Sequence, residues 1–244
     1  MKGKILSFVL LALFVHLASG CTTARLEYDR MTGTAFPQPV TVSGEEVNLT
    51  TMYFQGNILL SVLEDDTGIA PLTGPFDPSD PDQYDYIRPD ELDALVLANR
   101  SSPVGMEQWS CGIMSGSTCT RYHVYGIVVD HFYENSSGVR QTTLLGLMYD
   151  SSLRSGFVNF YKNSTNSSDN GKFLRSTAHE IGHAVNLNHC DGDGSATIMN
   201  QTGVVGDTYV YEFSASSLTH LQDHDRNVVW PGISTRHYAC PHVH

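Results

Sequence analysis

Apolar residues fall into short runs through the first part of the chain and then into a helical stripe near residue 180. Tyr53-Phe54 and Ile58 to Leu63 read as an apolar strand, although so short a run is equally compatible with a helix. Tyr122 to Tyr133 is rich in Val, Ile and aromatic residues, which favours a strand. Glu134 to Gly138 then reads as a turn, Thr142 to Tyr149 as a second strand, Asp150 to Gly156 as another turn and Phe157 to Tyr161 as a third strand. Leu174, Ala178, Ile181 and Val185 recur at steps of four, three and four, the stripe of a helix seated against a sheet. Asn170-Gly171 offers that helix a polar cap and a break. Pro89-Asp90-Glu91 opens an earlier helix to about Ala98, with Pro in its first turn and carboxylates at its positive end. Ser214 to Gln222 suggests a capped C-terminal helix. Residues 67–89 carry Gly, Pro and Asp at loop density. Residues 21–50 are polar, with Pro37 and Pro39, and read as a linker, a short pro-region or an edge strand. The whole is an α+β pattern.

The stripe near residue 180 also carries the most specific chemistry. His179-Glu180-Ile181-Gly182-His183-Ala184-Val185-Asn186-Leu187-Asn188-His189 holds three histidines and one glutamate at zinc-site spacing. Helix positions i and i+4 lie one above the other, so His179 and His183 can aim at one point. Neutral imidazoles suit a borderline-soft ion such as zinc. Glu180 follows the first ligand, toward the open position where water would sit, and suits a general base. His189 lies six residues past His183, so the chain must turn to bring it back. Asn186 stands at that turn, and Asn enters the left-handed conformation more readily than any residue but Gly.

H-E-x-x-H-x-x-G/N-x-x-H resembles the signature of the metzincin clan of zinc endopeptidases. Ser195-Ala196-Thr197-Ile198-Met199-Asn200 is similar to the clan's methionine turn, in which Met199 would form an apolar floor under the imidazoles. Gln201 stands where some subfamilies have a tyrosine ligand, so the site resembles the matrixin or adamalysin kind, with the subfamily open. The resemblance implies a twisted mixed sheet over a zinc-binding helix, with the methionine turn and a C-terminal helix in a small lower subdomain. It also implies that Leu144 to Met148 is the edge strand above the cleft, with Leu145, Gly146 and Leu147 as substrate-binding residues. Read from its residues alone, that segment is equally an interior strand.

At 244 residues the chain can bury a full core. Lys2 and Lys4, an apolar run from Ile5 to Ala18 and a small-residue exit predict a signal peptide over residues 1–20. No other run approaches the length of a transmembrane helix. Leu17-Ala18-Ser19-Gly20-Cys21 also resembles a lipobox, so lipid anchoring through Cys21 stands beside secretion. Without Lys2 and Lys4, 12 basic residues face 26 acidic ones, a net charge of −14 that repels nucleic acid. Acidic residues gather between Glu64 and Asp93, read as a solvated loop, with a Ca2+ site as the lesser reading. Six N-x-S/T sequons, at Asn48, Asn99, Asn135, Asn163, Asn166 and Asn200, favour a glycosylated protein. Besides Cys21 there are four cysteines, with Cys111–Cys119 and Cys190–Cys240 the favoured disulfides. His220, His224, His237, His242 and His244 read as surface residues.

These readings together predict a secreted, monomeric zinc endopeptidase. Residues 51–244 form its catalytic domain, and it acts on proteins or peptides. The competing expectation is an inactive metzincin-like adhesin or surface lipoprotein in which zinc is only a staple.

Overall fold

A computed structural model describes residues 22–71, 85–101, 105–110, 118–148, 156–191, 196–201, 210–223 and 229, with backbone alone for 105–110, 118–120, 164–165 and 223. Its central strand is β7 (Thr118–Val129), where Tyr122, Val124, Tyr125, Ile127, Val128 and Val129 are all buried. Such an unbroken run belongs to a strand covered on both faces. β1 (Thr22–Arg30) runs parallel beside it, with Leu26 opposite Val124, and β4 (Ile58–Glu64) runs parallel beyond β1. On the other side lies parallel β11 (Gly156–Phe160), and β10 (Gly146–Met148) closes that side antiparallel. β6 (Gly105–Ser110) pairs antiparallel with the first half of β7. Small accessory sheets join β2 (Val40–Val42) to β3 (Glu45–Val47), and β5 (Tyr86–Ile87) to β8 (Phe132–Glu134) and β9 (Arg140–Gln141).

The pleat sorts the core into two layers. One face of the sheet packs Leu26, Tyr28, Tyr122 and Phe157 with Met52 and Tyr53 of α1 (Leu49–Phe54). The same layer takes Phe173, Leu174, Ala178 and Ile181 of α4 (Asn170–Ala184), which follows the short α3 (Ser164–Ser168). The opposite face packs Tyr125, Ile127, Val158 and Phe160 with Leu92, Leu95 and Val96 of α2 (Pro89–Asn99). α5 (Ala215–Asp223) adds Leu221 to the first layer, and Ser214 caps it by accepting from Ser217 N at 3.2 Å. The protein is thus a mixed α+β fold with a mixed sheet and few helices.

Several expectations need correction. Residues 22–30 are neither linker nor edge strand but an interior strand, paired on both sides. Its alternate polar residues disguise it, because Glu27 and Asp29 are buried. Glu27 accepts from Ser101 N at 2.6 Å and Ser101 Oγ at 2.7 Å and lies 3.0 Å from His123 Nε2. Asp29 accepts from Tyr125 Oη at 2.8 Å and Asp66 N at 3.0 Å. Tyr53-Phe54 is helical, started by a capping box in which Asn48 accepts from Thr51 N. The cap of α4 is Asp169, which accepts from Lys172 N at 3.0 Å. Asn170 instead exchanges two hydrogen bonds with the Gln38 backbone. The strand expected from Thr142 shrinks to Gly146–Met148, since side-chain amides hold the carbonyls before it: Asn163 donates to Thr142 O and Asn166 to Leu145 O. His220 is buried, not exposed. Residues 1–21, with the expected signal peptide and Cys21, lie outside the described residues. Among the described residues no helix is long and apolar enough to cross a membrane.

Because β1 supplies Leu26 and Tyr28 to the core, a chain beginning at residue 51 should show no cooperative thermal transition by circular dichroism. A sharp transition in that variant would return residues 21–50 to the status of a dispensable pro-region.

Candidate metal centre

α4 is the scaffold of the site. Its C-terminus shows why the third histidine can return. Val185 caps the helix, and Asn186 adopts φ 64°, the left-handed conformation expected of it. Asn186 N then donates to His183 O at 3.1 Å and Leu187 N to Gly182 O at 2.9 Å, closing the last open carbonyls. His189 is carried back toward α4. The Nε2 atoms of His179, His183 and His189 form a triangle with edges of 3.1, 3.0 and 3.1 Å.

Hydrogen bonding on the far side of two rings decides what that triangle is. His179 Nδ1 lies 2.8 Å from Ile198 O, and His183 Nδ1 lies 2.9 Å from Leu187 O. A carbonyl only accepts, so both Nδ1 atoms carry the proton and both Nε2 atoms present lone pairs. Those lone pairs face each other and His189 at close range, an arrangement that repels unless a cation lies among them. An ion bonded to nitrogen at about 2.0–2.1 Å in tetrahedral geometry spaces its ligands about 3.3 Å apart, close to what is seen. The three histidines therefore fit a metal ion. Burial and the neighbouring His183 hold the His179 pKa well below its usual value, and burial lowers that of His189, so both favour the neutral, ligating form.

Glu180 is buried beside the triangle, and burial pushes its pKa up to about 8. A dication next to it would pull that value back down. A cleft of about 470 Å³ opens over the site, lined by Leu144, Leu145, Gly146 and Leu147 on one side. His179, Glu180, His183, His189 and Gln201 line it as well. The structure thus brings together every residue expected at the metal, the base and the substrate strand, and among the described residues β10 is the sheet's edge rather than an interior strand.

Beneath α4 lies the turn that carries Met199. A Cβ added to Gly182 would stand 2.3 Å from Met199 Sδ, so the thioether packs against the helix between the two histidines it carries. The turn is fastened from several directions. Arg175, 1% exposed and one helical turn before His179, donates through one guanidinium nitrogen to Thr197 O and to Asn200 O, each at 2.6 Å. Asn200 donates to Cys190 O at 2.8 Å, and Cys190 N donates to Met199 O at 3.2 Å. This chain of bonds connects α4, the methionine turn and the residue after His189. Sequence reading missed Arg175, although a long cation at i−4 from a ligand, on a helix with a buried stripe, was a usable signal. It also missed His220, whose Nε2 lies 3.1 Å from Val185 O at the end of α4.

Oxygen atoms of Glu27, Asp29 and Asp65 also converge, with Glu27 accepting from Ser101 and Asp29 from Tyr125 and Asp66. Of the acidic segment read as a lesser Ca2+ candidate, residues 72–84 lie outside the described residues. Cys190 is buried and disulfide-bonded. The Cys111–Cys119 and Cys190–Cys240 pairings involve side chains at 111, 119 and 240 that lie outside the described residues.

No protein-family model and no curated protein matches this chain. Among solved structures, a zinc-dependent peptidase from Methanocorpusculum labreanum (strain Z) is similar over 80% of this chain and 99% of its own, at 16% identity and a TM-score of 0.44. The functional reading therefore rests on the site's own geometry.

Two outcomes follow from that geometry. Asn186→Gly should leave zinc affinity nearly unchanged and Asn186→Val should weaken it, since a β-branched residue clashes at φ 64°. Competition with a chelator measures both, and equal affinities would show that residue 186 does not make the turn. Arg175→Met should weaken zinc binding by about 10–100-fold, the scale for groups that orient ligands. Unchanged affinity would remove Arg175 from the metal site's support.

Proposed function

We propose that the chain is an exported zinc endopeptidase of the metzincin type. The observation that carries this reading is the triangle of three Nε2 atoms, two of them with their protons held on the opposite ring nitrogen, in a cleft shared with Glu180. A purely structural zinc site is closed by a fourth protein ligand, whereas among the described residues this one offers three histidines and faces a cleft. The apolar run before β1 favours export.

His179, His183 and His189 would hold the ion. Zinc in such a site supplies Lewis acidity, polarising a peptide carbonyl and acidifying a water molecule. Glu180 is adjacent in sequence to the first ligand and reaches the same cleft. Its carboxylate accepts a proton from the attacking water and returns that proton to the leaving amine. β10, which has a ladder partner on one side only among the described residues, offers its other edge to an extended peptide. Main-chain pairing of that kind holds many sequences, which suits a protease. The acidic surface disfavours nucleic acid as an alternative substrate.

Metal analysis of the purified protein should find about one zinc per chain, lost in His183→Ala, because two ligands do not complete the site. An intact fold with no zinc would end this reading. Glu180→Gln should keep the zinc and lower casein or peptide hydrolysis by at least about a hundredfold. Near-full activity in that variant would exclude Glu180 as the base.

A further inference from the structure

We propose that Gly146 is a positioning residue for Glu180: its missing side chain is the space into which the Glu180 carboxylate is seated. The inference rests on the proposed role of Glu180 as base. A Cβ built on Gly146 would lie 2.7 Å from Glu180 Cγ, 2.8 Å from Glu180 Oε1 and 3.0 Å from Asn159 Nδ2. The first two distances are shorter than real Cβ contacts, so any larger residue at 146 forces something to move. Gly146 has no positive φ, so conformation does not explain the glycine. Space does.

Which side would yield is decided by how each is held. The segment leading into β10 is fastened by Phe160 N to Leu145 O at 3.0 Å, Asn166 Nδ2 to Leu145 O at 2.9 Å and Asn163 Nδ2 to Thr142 O at 2.7 Å. Gly146 itself is laddered opposite Asn159 of β11. Asn159 in turn accepts from Tyr28 Oη at 2.8 Å and Thr177 Oγ1 at 3.1 Å, both buried. By contrast, among the described residues no hydrogen bond holds the Glu180 carboxylate, and burial alone shifts its pKa. Its Cγ and Oε1 pack against Gly146 instead. The strand is the rigid wall and the glutamate is the part that gives. The substrate edge and the base are therefore set by the same residue.

The test compares wild type, Gly146→Ala, Glu180→Ala and the double variant by zinc content, thermal stability, peptide hydrolysis and crystal structure. In Gly146→Ala the Glu180 carboxylate should move by about 1 Å or more while the three Nε2 atoms stay in place. The variant should keep about one zinc per chain, and kcat should fall about a hundredfold with KM little changed, the scale of an ångström-sized misplacement. Ala lacks both the Cγ and the carboxylate that the new methyl would meet, so adding Gly146→Ala should cost much less thermal stability in the Glu180→Ala background than in wild type. If instead Glu180 stays and β10 shifts, or Gly146→Ala costs as much stability in both backgrounds, the proposal is overturned. Should Gly146→Ala fail to fold, the double variant should fold, and failure of both would also overturn it. A wild-type protein that hydrolyses no peptide would end the endopeptidase reading, while the displacement of Glu180 would still decide this one.

Discussion

The structure depends on holding three imidazole nitrogens about 3 Å apart with their lone pairs turned inward. Without a cation that arrangement is repulsive, so the surrounding chain has to impose it. It does so through backbone carbonyls. Ile198 O and Leu187 O take the Nδ1 protons of His179 and His183, which sets both tautomers and both ring planes. Each of those carbonyls belongs to a segment whose course is itself constrained. Leu187 follows the left-handed Asn186, and Ile198 sits in the turn that Arg175 grips on either side. The ligands are thus positioned by the main chain, and long-range side chains position the main chain.

The sheet serves the same end from above. Both faces of its central strand are buried, so the layers cannot slide without breaking apolar contacts on two sides. The edge strand would be the loose element, being short and paired once. Buried asparagines stiffen it by donating to Thr142 O and Leu145 O just before the strand and to Phe160 O of its neighbour. A cleft between a pinned edge strand and a pinned helix keeps its width. For a base and a substrate edge proposed on different elements, that constancy is what preorganisation means.

Much of this was legible in residue spacing. The i, i+4 histidines, the glutamate between them and the asparagine at the turn describe local geometry, and local geometry survives folding. The edge position of Gly146, by contrast, came only with a family resemblance, because period-two patterns do not say which strand lies outermost. β1 was not legible. Its Glu27 and Asp29 look like surface residues, yet Ser101, His123, Tyr125 and Asp66, all distant in sequence, satisfy them inside the fold. Arg175 and His220 both bond backbone carbonyls on other segments; the place of Arg175 one turn before a ligand hinted at its role, whereas nothing local announced that of His220.

The sequons show how such hidden partners change an inference. Six N-x-S/T sites looked like an excess that glycosylation would explain. In the fold, Asn163, Asn166 and Asn200 are 3%, 2% and 0% exposed. Their side-chain amide nitrogens donate to Thr142 O, to Leu145 O and Phe160 O, and to Cys190 O. A glycan is joined through that same nitrogen and needs room that a packed interior lacks. These three asparagines are therefore explained by what they hold: two fasten the cleft's edge strand and one ties the methionine turn to the third histidine's loop. Half of the six sites belong to the architecture of the site, and the argument for a glycosylated protein weakens accordingly.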